Sequence, residues 1–251
     1  MKNVINILVA IVLISLLSCN DHNLQDSSLS DNFSVSHNTR GILSEELEQI
    51  GFIHNCELQN VYNEIKSYDT ISYMQGVNVI SKNIISKTNS EEYSMAMRIV
   101  NKSMNIQKTR SNLASVRDSV EDNLVAKQII DTLTQIITIS ISPSEVDTKV
   151  MDYYNFMSAK ELKFEDKVVL TNMCAICAAS YDYWSNNKDK WINLNVEKQS
   201  VERKKISGLA TRKISPTAKR QVVEFVIADV TGATFGGPAA FICSGLVAWS
   251  W

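Results

Sequence analysis

SPSEVDTKVMDYYNFMSAKELKFEDKVVLTNMCAICAASYDYW, residues 142–184, carries the clearest signal of fold class in the chain. Ser142 is placed to cap a helix and Pro143 suits the first helical position, where its missing N–H is an orphan in any case. Glu145 stands three residues after Ser142, the spacing of a capping box. Ser158-Ala159-Lys160-Glu161 repeats that spacing and predicts a second start, for a helix leading through Cys174 and Cys177 to Trp184 or beyond.

Upstream, Ser90-Glu91-Glu92 offers a start for a helix through Met95, Ile99, Met104 and Ile106, and Val116 to Ile139 reads as another. The β-branched ITISI at its end is expected to fray or turn to strand. Ser44 to Ser67 has helical apolar spacing with Glu45 and Glu46 in its first turn, where acids favour the positive end of the helix dipole; an interruption is expected near Gly51. Tyr73 to Ile85 fits a helix or short strands. No alternation of strand, glycine turn and helix occurs. The expected class is all-α: an irregular multi-helix bundle with an apolar, glycine-spaced C-terminal helix or hairpin.

The last twenty-two residues, VTGATFGGPAAFICSGLVAWSW from Val230 to Trp251, contain no formally charged side chain. Ala228, Gly232, Gly236, Ala240, Ser244 and Ala248 recur every four positions, which on one helix makes a stripe for close backbone approach. The length matches a bilayer core, and Trp249 with Trp251 suits an interfacial end. Pro238 after Gly236-Gly237 favours a kink or hairpin instead, and Asp229 stands at the threshold. Two readings follow, a buried terminal element and a membrane-inserting one, and the spacing has a general likeness to glycine-zipper segments of membrane-active polypeptides.

At the other end, Met1-Lys2-Asn3 precedes an uncharged run, ILVAIVLISLL from Ile7 to Leu17, too short to span a bilayer comfortably. It ends in Leu16-Leu17-Ser18-Cys19, which resembles the lipobox of bacterial lipoproteins. The resemblance implies cleavage after Ser18, diacylglycerol on Cys19, and residence in the bacterial cell envelope on the inner or outer membrane. Several acyl chains would hold firmly, at about 0.8 kcal/mol per buried methylene. Residues 20–40, NDHNLQDSSLSDNFSVSHNTR, are too polar to bury a core and read as a tether, with His22 and His37 as solvated residues. The expected organisation is a signal peptide (1–18), lipidated cysteine and tether (19–43), helical body (44–195), basic linker or helix (196–220) and apolar tail (221–251).

Charge is nearly balanced, 25 basic against 27 acidic residues, and nothing global points to nucleic acid. With Cys19 assigned to lipid, Cys56, Cys174, Cys177 and Cys243 permit two disulfides in any of three connectivities. Cys174 and Cys177 lie three apart in an apolar run, which suits packed thiols or a structural bridge better than a redox pair at an exposed helix start. No second pair at metal-ligand spacing accompanies them, so neither a metal nor another cofactor is expected. His54 beside Asn55 and Cys56 is the one histidine in the body, and no nucleophile elbow or phosphate loop surrounds it.

Tyr181, Tyr183, Trp184 and Trp191 sit among Asn, Asp and Lys, a composition suited to a helix end tucked against a neighbour or to an interaction surface. Residues 196–220 carry eight positive and two negative side chains, including Lys204, Lys205, Arg212 and Lys213, and would meet an anionic surface. These features rank a noncatalytic, membrane-anchored lipoprotein that binds or supports an envelope component first. A membrane-active effector using the tail comes second, and an envelope enzyme third.

Overall fold

A computed structural model of the chain describes residues 43–85, 123–198, 218–234 and 237–250. Seven helices occur among them: α1 (Glu45–Ser67), α2 (Tyr73–Ile85), α3 (Leu124–Ile139), α4 (Pro143–Ser158), α5 (Phe164–Lys198), α6 (Ala218–Ala233) and α7 (Gly237–Ser250). The architecture is an irregular all-α bundle around α5, which buries residues on every side and touches every other described helix except α2 by an extensive contact.

The capping chemistry at residue 142 is realised in part. Ser142 Oγ accepts from Glu145 N at 3.2 Å, with Pro143 at the first helical position. Glu145 reaches one residue further back than a capping box requires: its Oε2 accepts from Ile141 N at 2.8 Å, while Lys149 Nζ sits 2.6 Å from Oε1. The Lys149 hydrogen bond, then the Ile141 amide, hold the Glu145 carboxyl below its ordinary range. Replacing Ser142 with alanine is expected to cost about 1 kcal/mol in a denaturant melt, because the Glu145 amide loses its acceptor.

The second start lies later than the spacing predicts. Ser158 ends α4, since Ala159 N still donates to Asn155 O at 3.2 Å, and α5 begins at Phe164 with Glu165 and Asp166 in its first turn. Helix α3 continues through Ile139 without turning to strand; Ser140 closes it by donating from both N and Oγ to Ile136 O. Tyr73 to Ile85 is helical. The starts expected at Ser90 and Val116 lie outside the described residues.

Helix α1 passes Gly51 unbroken, and the glycine serves packing. A Cβ at Gly51 would collide with Ala179 Cβ and crowd Ala175 O, so α1 and α5 approach backbone to backbone there. They run side by side in the same direction, matched at Gly51 with Ala179, Tyr62 with Trp191 (ring centroids 5.4 Å apart) and Ile71 N with Lys198 O (3.4 Å).

Of the two readings of the C-terminus, burial is what the core shows, and the membrane-inserting one needs correction. The small-residue stripe presupposed one continuous helix, but the chain forms two, α6 and α7, separated at residues 234–236. Among the described residues no helix is long and apolar enough to cross a membrane. The membrane-inserting and glycine-zipper readings of the tail are therefore withdrawn. Helices α6 and α7 pack chiefly on each other, with Ala228 against Cys243, and both are built into the body. Phe225, Val226, Ala240, Leu246 and Ala248 belong to the same core as Leu58, Ile80, Leu133 and Met173. Gly232 and Ser244 are also buried, whereas Gly236 lies outside the described residues. Trp249 is fully buried and occupies no interface.

Candidate functional site

The strongest concentration of polar chemistry lies inside the bundle, where α1, α5 and α6 meet. Helix α6 is apolar from Phe225 onward except for Asp229 and Thr231, both wholly buried. An isolated carboxylate in such surroundings would cost several kcal/mol, so its partners decide whether the helix can pack there. Ser180 and Trp184, four apart and therefore on one face of α5, both supply donors. Ser180 Oγ donates to Asp229 Oδ2 in a short hydrogen bond, and Trp184 Nε1 donates to the same oxygen at 2.9 Å.

The second carboxylate oxygen faces α1. His54 Nε2 lies 3.1 Å from Asp229 Oδ1, in contact but without the alignment of a hydrogen bond. The other face of the ring is also fixed: His54 Nδ1 donates to Asn55 Oδ1 at 3.1 Å, and Asn55 Nδ2 donates to Ala179 O at 3.2 Å. Three residues from two helices thus converge on one acid of a third, with exposures of 3% for His54 and 0% for Ser180, Trp184 and Asp229.

Serine, histidine and aspartate in contact invite comparison with a nucleophilic triad, but the order differs. In a triad the imidazole stands between hydroxyl and acid, so that it can take the hydroxyl proton. Here the acid stands in the centre and the serine donates directly to it. The hydroxyl's partner is the carboxyl itself, with no imidazole between them, and the group joins three helices as a clamp. Among the described residues no three His, Cys, Asp or Glu side chains are grouped to hold a metal ion.

The aromatic residues proposed as contacts are interior. Trp184 and Trp191 are fully buried, Tyr181 and Tyr183 nearly so. Trp191 Nε1 donates to Tyr183 Oη at 3.0 Å, and the Trp184 ring lies 4.6 Å from that of Phe225 and 5.7 Å from that of Trp191. Their indole N–H groups have partners in the core, so neither tryptophan forms an interaction surface. Lys204, Lys205, Arg212 and Lys213 lie outside the described residues.

Cys56, Cys174, Cys177 and Cys243 form no disulfide with one another, which corrects the expectation of two bridges. Burial pushes the Cys174, Cys177 and Cys243 thiols up from their ordinary value of 9.0, and neighbouring Cys174, Asp147 and Asp229 add to the rise at Cys177. These three are expected not to react with an aromatic disulfide reagent at pH 8 until the chain unfolds; rapid native labelling of any of them would contradict the packing. Raised folded values also fix the sign of a pH dependence. The stability these groups contribute is complete below about pH 9 and falls as pH rises, because the unfolded chain releases thiol protons that the folded chain retains. Urea melts from pH 7 to 10 test this.

His54 stood out in the sequence, but Asp229 and Ser180 were not read as partners. The available signal was Asp229 itself, the one formal charge between Phe225 and Trp251. Compared with protein-family models, curated proteins and solved structures, the chain matches none.

Proposed function

We propose that this chain is a lipid-anchored protein of the bacterial envelope whose helical body acts without catalysis, binding or supporting an envelope component. The observation that carries the reading is Leu16-Leu17-Ser18-Cys19 at the end of a short uncharged run, followed at once by polar sequence. A lipid anchor needs no membrane-spanning helix, so correction of the tail leaves it untouched. Burial of α6 and α7 in the common core favours a structural role for the tail over the effector reading, which required a loosely held segment. The clamp on Asp229 supports a body whose interior is devoted to stability.

Labelling with radioactive palmitate in a bacterial host tests the anchor. The chain is expected to take up label and to fractionate with membranes, and Cys19→Ser is expected to abolish both. An unlabelled wild-type chain would overturn the reading.

A further inference from the structure

We infer that the clamp is a proton-dependent latch: the folded chain holds one extra proton between His54 of α1 and Asp229 of α6, and its loss turns their contact from attraction into repulsion. The hydrogen bonds around the ring place that proton. Ala179 O can only accept, so the Asn55 amide turns its Nδ2 to it, 3.2 Å away, and its Oδ1 to the imidazole. Asn55 Oδ1 can in turn only accept, so His54 Nδ1, at 3.1 Å, carries a hydrogen. A neutral imidazole has no second one, which leaves Nε2 a bare acceptor. It lies 3.1 Å from Asp229 Oδ1, and neither atom has a hydrogen-bond partner.

Two bare acceptors that close repel, and the more strongly in a buried site of low dielectric. A proton on either atom reverses the sign. Because the contact lacks hydrogen-bond alignment, the gain is electrostatic and needs no linear bond. The surroundings give no other relief. Among the described residues Asp229 pairs with no lysine or arginine, and its Oδ2 is taken by Ser180 and Trp184. Cys177 and Tyr183 of α5 and Cys243 of α7 face the acid as neutral groups, since burial holds their protons on. Asp147 of α4 acts on Cys177, and Lys188, one turn past Trp184, is paired with Asp189. On α1, Glu57 is buried three residues beyond His54, and on α2, Lys82 pairs with Glu64 near the far end of α1 while the Tyr73 carbonyl accepts from Trp249. The buried face of α3 is apolar throughout. No cation among these reaches Asp229, so the pair itself binds the proton.

The sign of the pH effect follows from proton balance. An unfolded histidine gives up its proton around pH 6.5 while the folded pair keeps one, so the latch contributes fully below that pH and its contribution falls as pH rises. Asp229→Asn separates the latch from the other titrating groups. With its amide oxygen toward Ser180 and Trp184, its NH2 donates to the bare Nε2 and closes the contact with a hydrogen that does not titrate. Urea melts of the unacylated chain from Asn20 to Trp251, with and without Asp229→Asn, are compared at pH 7 and pH 8, where the thiol contributions are common to both chains and cancel. The folding equilibrium constant of wild type is expected to fall about tenfold relative to that of the variant over this pH unit, the slope of one proton. A second measurement needs no change in the clamp. With His22→Asn and His37→Asn, His54 is the sole histidine, and nitrogen-15 NMR of the native chain at pH 8 is expected to show Nδ1 protonated and a proton at Nε2, bound or hydrogen-bonded. Parallel pH profiles of the two chains, or an imidazole with a single hydrogen and no shared proton at the Asp229 contact, overturn the proposal. It stands on the clamp alone, whatever Cys19 carries.

Discussion

Replacing Asp229 with alanine is expected to lower the free energy of unfolding by about 3–5 kcal/mol, because two buried donors lose their shared acceptor at about 1–3 kcal/mol each. The size follows from what is left behind. Ser180 Oγ and Trp184 Nε1 both donate to Oδ2, and His54 faces Oδ1, all in a region closed to water. Each stranded donor costs about 1–3 kcal/mol. Asp229→Asn is expected to lose less, because one amide oxygen remains as acceptor while the new NH2 faces His54 or the two donors. His54→Gln combined with Asp229→Asn is expected to cost less than the sum of the single changes. Denaturant melts of the four variants beside wild type give the result directly. A loss below about 1 kcal/mol for Asp229→Ala would mean that the clamp contributes little and that water reaches it.

The parts of the fold legible in the sequence are those fixed by local chemistry. Ser142-Pro143 satisfies the first turn of α4 from within four residues, and the acids at Glu45 and Glu46 mark α1 through the helix dipole, without a side-chain cap at Ser44. The start before α5 misled because Ser158 and Glu161 have the right spacing, while the helix ending at Ser158 still uses those backbone groups. Of the two readings of the aromatic cluster, the tucked one holds and the interaction surface fails, for a tertiary reason. Helix α5 is enclosed by neighbours, so its polar residues, such as Asn187 and Asn195, are buried beside Trp184 and Trp191 and mimic a wet surface. Asn187 Nδ2 donates back to Tyr183 O at 3.0 Å, a local solution that composition does not reveal.

The clamp was illegible because its members are far apart in the chain. Ser180 and Asp229 are separated by 49 positions, and His54 lies on another helix again. Periodicity assigns each to a helix but says nothing about which helices meet. The tail shows a related limit: a spacing of four carries a common face only while the helix is continuous, and Gly236-Gly237-Pro238 falls where α6 and α7 divide. Its small residues serve close packing within the body, as Ala228 against Cys243 shows.

That packing makes a second large effect. Trp249→Ala is expected to destabilise the fold by about 3–5 kcal/mol, the range for emptying a buried indole site. Trp249 fastens three helices. Its ring fills the space left by the missing side chain of Gly76 in α2, its Nε1 donates to Tyr73 O at 3.1 Å, and its carbonyl accepts from Asn195 Nδ2 of α5 at 2.7 Å. Substitution loses the ring and the Tyr73 bond but keeps the backbone bond to Asn195. Gly76 supplies the control. In the wild-type chain Gly76→Ala drives a methyl into the indole and is expected to cost about 1–3 kcal/mol. In Trp249→Ala the same methyl enters vacated space, and alanine is the better helix former by about 1 kcal/mol, so the change should turn neutral or favourable. The two substitutions are therefore coupled by about 1–4 kcal/mol. Strict additivity in denaturant melts would show that α2 and α7 do not meet through this ring, and the account of how the C-terminus is held would fall with it.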